Sequence, residues 1–133
     1  MVGAGRIGCD VTLTAHAPRT TDPVLAARVR ASFPDLPRHA CVNGAGDILS
    51  ASFPKSRKHD SRLLPHLLEH LVIDLQTQAA PPDASPDTAY VGITRWTDEN
   101  AGRAHIEVSF TDDLVALRAF RDATRFLNEA VVL

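Results

Sequence analysis

Residues 9–15 alternate: Val11, Leu13 and Ala15 fall on one side, and Asp10, Thr12 and Thr14 on the other. A period of two predicts a half-buried strand. The rhythm then changes. Leu25, Val29 and Phe33 recur every four residues, the spacing of a helical stripe. Asp22 before Pro23 suits a helix entry, with the aspartate as cap and proline in the first turn. Pro34 and Pro37 stop this helix. Residues 39–43 and 47–53 are two short strand candidates around Asn43-Gly44-Ala45-Gly46, a hairpin or one bulged strand. Residues 55–59 read as a basic surface loop.

The longest helical signal covers residues 61–79. Leu64, Leu67, Leu68, Leu71, Val72 and Leu75 form a broad apolar face. Asp60 or Ser61 caps it, and Pro65 falls near the end of the first turn, where little is lost. Residues 80–88 carry three prolines and predict a loop. Residues 89–96 and 104–110 alternate again around the polar turn Asp98–Gly102, which predicts a hairpin. Thr111 is the expected cap of a last helix, with Asp112 and Asp113 in its first turn and Leu114, Leu117, Phe120 or Arg121, Thr124 and Leu127 on its inner side. The order predicts one two-layer α+β domain over residues 1–133, with about three helices on a mostly antiparallel sheet. Residues 1–8 are expected to be flexible.

Composition narrows the function classes. The chain has 133 residues, 44% of them hydrophobic, and a net charge of 14 − 16 = −2. Such a balance offers no field for nucleic acid or an anionic membrane, and 5% aromatics gives no base-stacking surface. No run approaches the ~18 apolar residues of a membrane span. Cys9 and Cys41 make no disulfide framework, and the first residues lack a signal-peptide pattern, so a cytoplasmic location is expected. Gly3-Ala-Gly5-Arg-Ile-Gly8 matches a dinucleotide fingerprint in letters only, because a strand rather than a helix is expected after it.

The chemistry concentrates in His66-Leu-Leu-Glu69-His70. Histidines four apart on a helix share one face and can reach one ion. Glu69 borders that face, at the expected rim of a cleft, and can act as base on a water. The plainer alternative is a pair of core-edge histidines beside a solvated glutamate. Asp74, four residues after His70, is either a partner for that ring or a surface carboxylate. A catalytic zinc takes three protein ligands, so the third must come from elsewhere. Asp112, Asp113 and Glu107 are the candidates; their alternatives are helix-start charge for the aspartates and an outward strand position for Glu107.

The stretch Leu64–Gln76 resembles the N-terminal domain of cyanophycin synthetases, in which a Gly-His-x-x-Glu-His-x-Ala-x-Glu-Leu-Gln segment occupies a helix. Phe33–Cys41, Gly92-Ile-Thr-Arg95 and Val108–Asp113 are similar to further segments of that family, so the likeness runs from about Val24 onward. The resemblance implies a pitrilysin-like fold and a zinc-dependent hydrolase that cuts cyanophycin chains internally. It implies His66 and His70 as metal ligands, Glu69 as base, Asp112 or Asp113 as the preferred third ligand, and Arg95 as a partner for a polymer carboxylate or oxyanion. It also implies pairing of domains across a cleft, hence a homodimer. The chain departs from the family at its acidic pair, Asp-Asp for Glu-Glu, at the glycines replaced by Leu114-Val-Ala116, and at Pro65. No ATP-grasp or ligase segment lies within these residues, so cleavage is expected rather than synthesis. The competing expectation is a non-catalytic polymer-binding module with a degenerate metal site.

Overall fold

The polar turn between the last two strand-like segments closes a hairpin. Gly102 ends that turn at φ +72°, a left-handed conformation that an L side chain rarely adopts. The strands it joins are β2 (Gly92–Asp98) and β3 (Arg103–Phe110). The computed structural model describes residues 5–14, 22–34, 64–79 and 90–131. Among these, β1 (Gly5–Thr12) pairs antiparallel with the other side of β3, giving the sheet order β1-β3-β2. Three helices accompany it: α1 (Pro23–Ser32), α2 (Leu64–Ala79) and α3 (Asp113–Val131). The described residues form an α+β arrangement of helices on an antiparallel sheet.

β1 begins four residues before the predicted strand. Gly5–Gly8 pair with Glu107–Phe110, so these residues are strand rather than a flexible lead. Glycine hides the alternation here, because it adds no side chain to either face. Gly5 and Gly8 also lie inside a strand rather than at a strand-to-helix turn, which removes the structural context of a dinucleotide fingerprint. The strand candidates at 39–43 and 47–53, the loops at 55–59 and 80–88, and the Asp60/Ser61 cap lie outside the described residues.

α1 starts as expected. Asp22 accepts from the Val24 and Leu25 amides, and Leu25, Val29 and Phe33 are all buried. Its Arg28 donates to the carbonyls of Glu129 and Ala130, where cationic groups suit a helix C-terminus. Phe33 meets Phe126 edge to face at 5.1 Å. α2 packs against both the sheet and α3, and its end is held by the Gln76 side-chain amide donating to the Ser109 carbonyl at 3.2 Å. Leu67, Leu71 and Val72 of α2 join Ile106 and Val108 of β3 in the core.

The buried side of α3 departs from expectation in part. Phe120 is buried as expected and Leu127 packs partly buried on the core, but Leu114 and Leu117 are 60% and 51% exposed and Thr124 is exposed, while Ala116, Ala119, Ala123 and Ala130 are buried. The helical period is right, and its first turns are rotated toward the alanines. Small side chains let α3 sit close to α2, and bulky leucines on that face would hold the helices apart. The cap also moves by one residue. The Asp112 carboxylate, rather than Thr111, accepts from the Leu114 and Val115 amides.

Candidate functional site

α2 is buried on every side over its first turns, from Leu64 to Val72. A helix enclosed in this way normally carries only apolar residues. Here it also carries His66 and Glu69, 9% and 7% exposed, and His70, 4% exposed. Buried polar groups need partners; those of the three include a contact between the two imidazoles and, for Glu69, a bond from β2.

One helical turn stacks the two imidazoles, with ring centroids 4.8 Å apart. Their Nε2 atoms approach to 3.2 Å. Burial pushes the His66 pKa below its ordinary value of 6.5, the direction that favours the neutral form in which imidazole binds metals. Nitrogens 3.2 Å apart, each about 2.05 Å from one ion, would subtend about 100° there, close to a tetrahedral angle. The pair therefore fits two positions of a zinc-type site.

Glu69 projects onto β2 and is buried, not at the rim of a cleft. Thr94 donates its hydroxyl to Glu69 Oε1 at 2.5 Å. Beneath the carboxylate lies Gly92: a Cβ there would stand 2.5 Å from Oε2 and 2.7 Å from Cγ and Cδ. Glycine inside a strand often marks such a close approach. Burial drives the Glu69 pKa up from 4.5, and the Thr94 bond partly offsets this. Thr94 and Gly92 are the site residues that sequence reasoning missed. The available signal was strand alternation, which places residues 92, 94 and 96 on the face opposite Arg95.

That alternation also separates other expected residues from the site. Ile93 and Arg95 stand opposite Glu107 and His105 on the outer face, away from α2. There His105 Nδ1 lies 2.8 Å from Asp10, and its Nε2 lies 3.1 Å from Glu107. The Asp10 contact leads in raising the His105 pKa, while Arg95 opposes it. Glu107 also faces Arg6 at 4.0 Å. Arg95 and Glu107 thus belong to a surface charge cluster on the far side of the sheet from Glu69.

Asp112 and Asp113 are exposed at the start of α3, and Asp112 is engaged in capping it. Among the described residues, no group of three histidines, cysteines or acids stands close enough to hold a metal. The described site is therefore two imidazoles and a carboxylate, with no third histidine, cysteine or acid grouped with them among the described residues. Asp74 is not a surface carboxylate: it is 1% exposed and accepts from the Gln78 side-chain amide at 2.6 Å. A shallow groove along α3, lined in part by Phe120, Arg121 and Arg125, contains none of these residues. No helix among the described residues is long and apolar enough to cross a membrane.

The chain matches no family model, no curated protein and no solved structure. The likeness to cyanophycin synthetases therefore rests on the quoted motifs alone.

Proposed function

We propose that the chain is a metal-dependent hydrolase of a peptide-like polymer, with His66 and His70 as metal ligands and Glu69 as general base. The observation that carries this reading is the approach of two buried imidazole nitrogens to 3.2 Å, on the same helix that carries the buried Glu69. A zinc-type cation, when bound, supplies Lewis acidity that polarises a carbonyl and lowers the pKa of water. His66 and His70 would hold it. Glu69 accepts the proton of the attacking water and passes it to the leaving amine. The third ligand in this proposal is an acid from another segment, with Asp113 preferred because Asp112 is engaged at the helix cap.

The substrate proposed from the resemblance is cyanophycin, cleaved internally on a pitrilysin-like fold, with a second copy of the chain closing the cleft. A cytoplasmic setting belongs to the same proposal, where the free thiol of Cys9 stays reduced. The test is zinc-loaded protein incubated with purified cyanophycin, with chain length followed over time. Wild type should shorten the polymer, and Glu69→Gln should bind zinc without cleaving it. A Glu69→Gln protein as active as wild type would remove Glu69 from the mechanism.

A second reading, a polymer-binding module without catalysis, is favoured by the capping role of Asp112 and the outward position of Arg95. It predicts that wild type binds the polymer, leaves it uncut and carries no metal.

A further inference from the structure

Gly92 and Thr94 lie on a different element from the H-x-x-E-H segment, yet both approach the Glu69 side chain. Two strand residues on the same face of β2 rise on either side of its carboxylate. Thr94 engages one oxygen, Oε1. Gly92 leaves bare the volume that Cγ, Cδ and Oε2 fill. A glutamate on a helix has three side-chain torsions and loses considerable freedom when held in one rotamer. A single donor and a single gap in a rigid strand supply that restraint here.

We propose that Gly92 and Thr94 are positioning residues that form a seat for Glu69, Thr94 fixing Oε1 by its hydroxyl and Gly92 making room for the rest of the carboxylate. The assignment rests on the functional reading above for its consequence, but the seat itself is a statement about where one carboxylate lies. Alanine at 92 expels Glu69 even with Thr94 present, because the added Cβ would lie far inside van der Waals contact of a carboxylate packed between strand and helix. Valine at 94 keeps the shape of threonine and removes the donor. Serine at 94 keeps the donor and loses a methyl group.

The experiment is a set of crystal structures of the full chain: wild type, Thr94→Val, Thr94→Ser and Gly92→Ala. Glu69 should keep its rotamer in wild type and Thr94→Ser, and leave it in Thr94→Val and Gly92→Ala. An unmoved Glu69 in both of the latter overturns the seat. Should those two variants not fold, NMR of wild type decides. A Thr94 hydroxyl proton protected from exchange and one Glu69 rotamer support the seat, and rotamer averaging overturns it. In parallel, zinc-loaded protein is assayed on cyanophycin. Thr94→Val should lose about 10- to 100-fold in kcat with KM and zinc content little changed, and Thr94→Ser should recover most of it. A wild type that cuts nothing sinks the functional reading, and the Glu69 rotamer still decides the seat.

Discussion

The two faces of one sheet treat ionisable groups in opposite ways. On the inner face, Glu69 and His66 are enclosed, and burial pushes both toward their neutral forms. On the outer face, His105 sits between Asp10 and Glu107, and those contacts favour its charged form. Desolvation governs one side and charge pairing in water governs the other. Ion pairs on an exposed face contribute little to stability. Buried titratable groups are costly to keep and are where chemistry concentrates. The contrast therefore ranks the two clusters, and the ranking can be attacked from either side.

The largest effect is expected at Glu69. Removing a general base costs about 10²- to 10⁴-fold in rate. Glu69→Gln should therefore lose cyanophycin cleavage in a chain-length assay. The same change deletes a buried charge and keeps an acceptor for Thr94, so denaturant unfolding at pH 7 should show equal or higher stability. A strongly destabilised Glu69→Gln protein would mean that the inner face needs the charge for folding.

Next comes the apolar packing that encloses the pair. Leu71 is fully buried on α2, and Leu71→Ala should cost about 2–5 kcal/mol in denaturant unfolding. A loss below about 1 kcal/mol would show that α2 is not the enclosed helix described. A smaller effect, about 1 kcal/mol, is expected for Asp112→Ala through loss of the α3 cap. That variant should bind zinc as wild type does. Weakened zinc binding would instead return Asp112 to the ligand set.

The finest test is titration. His66 should titrate below 6.5 and His105 above it when ring resonances are followed by NMR. The signs for stability follow by linkage. His66 binds its proton more weakly folded than unfolded, so its contribution is complete above 6.5 and is lost as pH falls through the folded value. Glu69 and His105 run the other way. The Glu69 contribution is present below 4.5 and lost as pH rises through its raised value, and that of His105 is present below 6.5 and lost above its own. Matching midpoints for the two histidines would erase the contrast between the faces.

Much of this arrangement was readable from residue pattern. Asp22-Pro23, the 25/29/33 stripe, the hairpin around Gly102 and the leucine face of α2 each couple a local preference to the fold they adopt. The failures share a cause. Leu114 and Leu117 drew attention by bulk, but their stripe runs on into Arg121, Thr124 and Asn128, while the alanine stripe stays apolar to Ala130. The resemblance implies a role for Arg95, but strand parity turns it to the face away from Thr94. Strand alternation gives Thr94 and Gly92 their face, but a hydroxyl donor and an absent side chain do not show what packs there. Only the approach of helix to strand gives them meaning.

The central claim is that His66 and His70 bind one divalent ion together. It is tested most directly by titrating metal-free protein with Co²⁺ and following the visible absorbance of the bound ion. One equivalent should bind to wild type and to Glu69→Gln, and none to His66→Ala or His70→Ala. Absence of binding in wild type, or binding that survives both histidine substitutions, would contradict it.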